Sequence, residues 1–208
     1  MAALRFVEPQ LREQLDRLPK EHRAAFAASC AERLFPAYER FSEEAGRGDP
    51  QTLRAALSRL WEDLACDPLS ELELHASPKN CLALVPPEDE EPWAESQPSA
   101  DDAAAALVYA LESRVKDDSQ EAAWSARRAY DALDRFLMSD QPGVIVTAAA
   151  EHQVQEHPLV QAELARQRRD LDELLAVRDG DVREVAARLR DRAKEESRAF
   201  FGAAASPR

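Results

Sequence analysis

Apolar residues recur along most of this chain at the spacing of an α-helix. From Lys20 to about Ala45, Phe26, Cys30, Ala37 and Phe41 fall on one stripe, which is the pattern of a helix that buries one face. The same period, with its capping signals, predicts helices at Glu8–Leu18, Lys20–Ala45, Pro50–Leu64, Ser99–Val115, Ser119–Met138, Leu159–Val177 and Asp181–Phe201. No pair of alternating segments is present to build a sheet. The pattern predicts an all-α fold, a bundle of about seven or eight helices.

Proline, glycine and aspartate mark the boundaries of several of these helices. Pro36 lies inside the second one and predicts a kink there. Asp49-Pro50 combines an N-cap with proline at the first helical position. Asp67-Pro68 repeats that signal, but Ser77-Pro78 interrupts the segment, so one or two helical turns and a loop are expected. Ser99 with Asp102 three residues later predicts a capping box.

Two segments lack a helical period of their own. Residues 85–98 contain four prolines in the run PPEDEEPWAESQP and predict a solvated acidic loop. The run VIVTAAA, residues 144–150, is ambiguous between strand and helix, and without a partner strand we predict a helix. The remaining pattern predicts one domain over residues 1–208, ending in a helical hairpin at 159–201.

Composition and charge narrow the classes of function. The chain of 208 residues has a formal net charge of −13, which opposes binding to nucleic acid. Residues 80–113 carry eight acidic residues and no Lys, Arg or His, a pattern that suits a basic protein partner. No apolar run could span a membrane, and the first twenty residues lack the apolar stretch of a signal peptide, so we expect a cytoplasmic protein without a membrane contact.

Sequence motifs for cofactor chemistry are weak. No glycine-rich phosphate loop and no GxSxG motif occurs. His152 and His157 could be taken for metal ligands, but residues five apart point about 140° away from each other on a helix. Cys30, Cys66 and Cys81 show no zinc-binding spacing. We therefore expect no metal and no cofactor, with surface histidines and reduced, mostly buried thiols.

Arg33 is the most unusual residue of the pattern. Counted at about 100° per residue, it lies within about 20° of the middle of the apolar stripe, where an unpaired charge is costly. We expect a structural ion pair with Glu62, Asp101 or Asp102. Two alternatives remain open: the side chain reaches water at the Pro36 kink, or it holds an anion as part of an active site.

The tryptophans fall into two groups. Trp61 and Trp124 lie at helical spacing from other apolar residues and are predicted in the core first and at a binding surface second. Trp93 lies among prolines and carboxylates in the acidic loop and is the candidate docking residue.

Four stretches of this sequence resemble the YjaG-like bacterial family, known as domain of unknown function 416. They are FAASCAERLFPAYERF (residues 26–41) followed by the glycines at 46 and 48, LRAALSRLWEDL (53–64), PSADDAAAALVYALES (98–113) and, more weakly, HPLVQAEL (157–164). The resemblance covers residues 11–192 and departs around 77–93 and in the last fifteen residues. It implies an all-helical cytoplasmic fold and supplies no activity or cofactor. It draws attention to Cys30, Glu32, Arg33, Tyr38, Trp61 and Asp102, whether for packing or for function.

Three functions are consistent with these residues. The leading hypothesis is a protein that acts through protein contacts without catalysis, including a homodimer formed by one helical face. The second is an acidic inhibitor or immunity-type protein that binds a basic partner through residues 80–113. The third is a small-molecule enzyme with an anion site at Arg33. The candidate polar cluster is Glu32, Arg33, Tyr38, Glu62, Asp101 and Asp102, and no catalytic residue is assigned.

Overall fold

The computed structural model describes residues 3–85, 94–139 and 148–200. Within these ranges every regular element is a helix, which confirms the predicted all-α fold. The described part of the chain contains ten helices: α1 (Glu8–Leu15), α2 (Lys20–Leu34), α3 (Pro36–Ala45), α4 (Pro50–Ala65), α5 (Glu71–Leu82), α6 (Gln97–Val115), α7 (Ser119–Ser139), α8 (Ala148–Glu156), α9 (Pro158–Ala176) and α10 (Arg183–Ser197). None of the described helices is long and apolar enough to cross a membrane.

Helix α2 lies at the centre of the bundle. Every residue from His22 to Leu34 is buried, because α2 packs against α6, α7, α9, α10 and α4. Four alanines, at 24, 25, 27 and 28, have no exposed surface, and their small side chains let the surrounding helices approach closely. A helix that is enclosed in this way must bury its polar residues as well as its apolar ones.

Several predicted boundaries are confirmed by the local geometry. The Asp49 carboxylate accepts a hydrogen bond from the Thr52 amide at 2.9 Å and caps α4. The predicted interruption at Pro36 is present, since α2 ends at Leu34 and α3 begins at the proline, while Phe35 between them keeps right-handed helical dihedrals. Gly46 ends α3 with a φ of 64°, in the left-handed region that glycine tolerates best.

The interrupted turn predicted after Asp67-Pro68 is wrong. Helix α5 begins instead after Ser70, which forms a capping box with Glu73. The helix continues through Pro78, while the Ser77 hydroxyl donates to the Glu73 carbonyl at 2.8 Å. Pro78 and Cys81 are buried on the side of α5 that faces the bundle, so tertiary packing outweighs the lost backbone hydrogen bond.

The capping box predicted at Ser99 is also wrong. Helix α6 begins at Gln97, inside the segment predicted as a loop, and Asp102 lies too far along the helix to cap it. Its side chain is buried and bonded elsewhere. Residues 86–93 of the predicted acidic loop, including Trp93, lie outside the described residues.

The ends of other helices differ from prediction by a few residues. Helix α1 stops at Leu15 and α10 at Ser197, and Phe201 lies outside the described part. Of the VIVTAAA run, the three alanines begin α8, and residues 144–147 are likewise outside it. The C-terminal helices α9 and α10 form ion pairs with each other, while α10 packs chiefly against α2 and α4.

Candidate functional site

Arg33 occupies the centre of a buried network of charges between α2, α9 and α10, here called the Arg33 network. Its side chain has no exposed surface. Its Nε donates to Glu163 Oε2 at 3.0 Å and its Nη2 to Glu163 Oε1 at 3.0 Å, while Nη1 donates to Asp170 Oδ2 at 2.8 Å. The guanidinium thus binds one carboxylate with two nitrogens and a second carboxylate with the third, the geometry in which such pairs are strongest.

Neutral side chains complete the hydrogen bonds of the two carboxylates. The Gln167 amide donates to Glu163 at 2.9 Å, and the Ser29 hydroxyl lies 3.1 Å from Asp170. The Cys30 sulfur lies 3.5 Å from Arg33 Nη2. Buried charges are tolerated when their donors and acceptors are occupied in this way.

Arginines and one glutamate extend the network from α9 to α10. Arg192 on α10 donates to Asp170 at 2.9 Å, and Arg169 donates both to Asp170 at 2.8 Å and to Glu196 at 2.7 Å. The other Glu196 oxygen lies 3.6 Å from the guanidinium of Arg33 and accepts no hydrogen bond within the described residues. The network therefore fixes α10 onto both α2 and α9.

The electrostatics of the network keep its groups in one charge state. Burial opposes the charge on Arg33, but the carboxylates of Glu163 and Asp170 outweigh it and hold the arginine pKa above its ordinary value. Burial likewise opposes the charge on Asp170, while Arg33 and Arg169 lower the pKa of that carboxyl below its ordinary value. Burial raises the pKa of the Cys30 thiol. The Cys30 thiol is consequently a poor nucleophile at neutral pH.

The predicted partners of Arg33 are wrong, although its burial and pairing agree with the prediction. Glu62 is exposed and pairs with Arg59 on its own helix, and Asp101 and Asp102 lie beside arginines of α7. The true partners are on α9, in the helical hairpin predicted at 159–201, where no partner for Arg33 was expected. A signal was present, because Glu163, Gln167 and Asp170 fall within the stripe of α9 that carries Val160, Leu164, Leu171 and Leu174.

The other members of the candidate polar cluster lie in separate places. Glu32 is buried between the indole of Trp61, which donates to it at 3.0 Å, and the guanidinium of Arg54. The Tyr38 hydroxyl donates to the Leu84 carbonyl at 2.8 Å. These side chains link α2 to α4 and α3 to the end of α5. Sequence spacing grouped residues that the fold uses in different helix contacts.

Asp102 forms a second buried charge site. Its carboxylate has no exposed surface and accepts from Arg128 at 3.1 Å and from Arg135. Burial raises the pKa of this carboxyl above its ordinary value, and the two arginines only partly counter it. The carboxylate orders two guanidiniums that reach the surface of α7.

The remaining candidate residues are two tryptophans and two histidines. Trp124, predicted first in the core, is 39% exposed and packs on Tyr109 with ring centroids 5.3 Å apart. Trp61 is buried, as predicted. His152 is exposed near Glu156, and His157 caps α9 by accepting from the Leu159 amide. No group of three potential metal ligands occurs in the described ranges.

Helix α5 exposes two leucines outside its buried face. Leu72 is 81% exposed and Leu82 is 61% exposed. At about 100° per residue, Leu72, His75, Lys79 and Leu82 fall within about 80° of one another. These four residues are the α5 face.

The comparisons with known proteins concern the whole chain. A crystal structure of a DUF416 family protein from Shewanella baltica OS155 superposes with a TM-score of 0.77 at 22% identity, over 91% of this chain and 96% of that one. That likeness shows a common fold. No curated protein matches the chain. The model of a protein family of unknown function, DUF416, matches residues 10–202. The chain belongs to the DUF416 family.

Proposed function

We propose that this protein acts by binding another protein through the α5 face, without chemistry at the Arg33 network. The observation that carries the proposal is the exposure of Leu72 and Leu82 on one side of a single helix. Burying an exposed leucine contributes roughly 1.5–3 kcal/mol, so a partner that covers both leucines of one helix face would gain from each of them.

The α5 face is held in a fixed position by the rest of the fold. Pro78 and Cys81, which follow Leu82 around the helix, are buried against the bundle. The Asp63 carboxylate accepts from the Leu69 amide at 2.8 Å just before the capping box, and it also pairs with Arg114 at 2.6 Å. A preformed helix face loses little conformational entropy when a partner binds.

The charges on the α5 face define the chemistry of the partner. Lys79 and His75 lie between the two leucines, and Lys79 makes no ion pair with any residue in the described ranges. Glu73, at the edge, is already bonded to Ser70. We therefore expect a partner surface with apolar side chains flanking a carboxylate, as on an acidic amphipathic helix.

The two alternative functions have less support. Arg33 directs its nitrogens at Glu163 and Asp170, so an anionic substrate would have to displace carboxylates that are already bound. For a basic partner, the acidic residues of α6 are engaged within the chain. Asp102 binds two arginines, and Glu112 pairs with Lys116 at 3.3 Å.

The experiment places a photo-crosslinking amino acid at position 82 of the full chain in its own host. The control position is 168, where the arginine side chain is 70% exposed on α9. A protein that crosslinks from 82 and not from 168 is then purified, and its affinity is measured directly.

We expect Leu72→Glu and Leu82→Glu each to weaken that affinity about tenfold or more, and Lys79→Glu to weaken it too, because each loses a buried contact. Arg168→Glu should leave it unchanged. Crosslinking only to a second copy of this chain, or equal affinity for all variants, would overturn the proposal.

A further inference from the structure

We propose that the outer face of α7 is a self-association surface, on which a second copy of this chain binds in antiparallel orientation. The face, here called the α7 ridge, consists of Gln120, Trp124, Arg127, Asp131, Arg135 and Met138. This inference rests on α7 and is independent of the partner proposed for α5.

The spacing of charges on the ridge is self-complementary. Helix α7 runs from Ser119 to Ser139, so its midpoint is Ala129. Arg127 lies two residues before that midpoint and Asp131 two residues after it. If an antiparallel copy is related by a two-fold axis at the level of Ala129 along the helix, Arg127 of each chain lies opposite Asp131 of the other. This arrangement gives two equivalent ion pairs.

The existing contacts of these residues allow that exchange. Arg127 bonds to Asp131 of its own helix at 3.0 Å, lies 3.6 Å from the Glu8 carboxylate and is placed over the Phe6 ring, and the side chains of Arg127 and Asp131 are partly exposed. An exposed pair four residues apart contributes only about 0.3–0.5 kcal/mol. If Arg127 and Asp131 form ion pairs across an interface instead, each chain therefore loses little of its own stability.

Trp124 gains a partner in the same arrangement. It lies five residues before the midpoint, and Arg135 lies six after it, so each indole faces an arginine of the other copy. Arg135 is bonded to the buried Asp102, which orients its guanidinium. Stacking of an arginine on an aromatic ring is favourable, and this chain already uses it where Arg54 lies 3.6 Å over the Phe35 ring.

A second copy fits the ridge better than a charged unrelated partner. Arg127 and Asp131 balance each other, and Asp102 offsets Arg135, so the ridge has no strong net charge with which to attract one. A helix of this length is about 31 Å long. A contact along this length can include Tyr109, which packs on Trp124, and Phe6, which packs on Tyr130.

The test uses two opposite charge reversals in the full-length protein. Sedimentation velocity should show wild type as a dimer at about 100 µM. Arg127→Asp and Asp131→Arg should each weaken self-association by tenfold or more, because each places like charges together. An equimolar mixture of the two variants should dimerise again, since every Asp then faces an Arg.

Thermal unfolding of each variant checks that both remain folded, and Leu72→Glu on α5 is the control that should dimerise as wild type does. Trp124→Ala should also weaken the dimer. Monomeric wild type at that concentration, unchanged dimerisation of the single variants, or a mixture that stays monomeric would each overturn the inference. A dimer abolished by Leu72→Glu alone would overturn it as well.

Discussion

Replacing Arg33 with alanine removes the positive centre of the Arg33 network. Glu163 and Asp170 then remain buried, each with about 1% of its side chain exposed. Loss of one partner from a buried pair typically costs about 3–5 kcal/mol. Asp170 keeps Arg169 and Arg192, whereas Glu163 keeps Gln167 and a more distant arginine. We therefore expect a loss of about 4 kcal/mol, most of it from the stranded Glu163.

Equilibrium unfolding in urea measures this loss. Far-ultraviolet circular dichroism and tryptophan fluorescence should be followed together, because coincident transitions justify a two-state treatment. With a slope of about 2–3 kcal/mol per molar urea, the midpoint of Arg33→Ala should fall by about 1–2 M.

Two further variants make the experiment decisive. Arg168→Ala removes an exposed arginine of α9 and should change the unfolding free energy by no more than about 0.5 kcal/mol. Arg33→Met combined with Glu163→Gln removes both charges of the buried pair, while Asp170 keeps its remaining arginines. This double variant should recover much of the loss in unfolding free energy. If Arg33→Ala unfolds within about 1 kcal/mol of wild type, the network does not stabilise the fold as argued.

Two other predictions follow from the buried groups. Because neighbouring arginines lower the pKa of Asp170, its contribution to stability is complete above the unfolded-state pKa of about 3.9 and is lost as the pH falls through the lower folded-state pKa. As the pH is lowered stepwise, the unfolding free energy measured in urea should therefore fall more steeply for wild type than for Asp170→Asn. Equal slopes of unfolding free energy against pH would contradict this. Burial raises the pKa of Cys30 and brings that of Cys81 to about 11, whereas Cys66 is exposed. A thiol reagent at neutral pH should label one cysteine per folded chain and all three after unfolding, and rapid labelling of two or more in the folded protein would contradict the placement.

Features encoded by neighbouring residues could be predicted from the sequence. Asp49 caps α4 because an aspartate oxygen reaches the amide three residues later. Pro36 ends α2 because its ring has no N–H to continue the ladder. Arg33 was expected to be buried and paired because its position on the helix follows from counting residues. In each case the physical cause acts within about one or two helical turns.

Competing local signals led to the errors at α5 and α6. Asp67-Pro68 and Ser70 with Glu73 are both helix-start signals, and the structure uses the second. Asp102 has the spacing of a capping box, but two arginines of α7 offer its carboxylate charged donors. A cap contributes about 1 kcal/mol, so packing between helices readily decides which signal is used.

The partners of Arg33 depend on chain topology, which local patterns do not contain. Glu163 and Asp170 are 130 and 137 residues away in sequence. Their burial was nevertheless detectable from the apolar stripe of α9 by the count that singled out Arg33. The apolar stripe of one helix carries an arginine, and the apolar stripe of another carries carboxylates. Comparing the two stripes would have suggested the pairing.

The buried charges also indicate where function is to be sought. Cys30, Glu32 and Arg33, from the stretch that first suggested the family, are all buried. Glu32 and Arg33 bond to other helices, and Cys30 lies against Arg33 on the same helix. Such contacts are enough to explain why the fold needs these residue types at these positions. A carboxylate or guanidinium that stays buried without its partner would be costly. The exposed leucines of α5 and the exposed tryptophan of α7 have no such structural explanation. Their apolar surface is stabilised only when something covers it, and this difference is why both proposals place function on the surface of the bundle and not at Arg33.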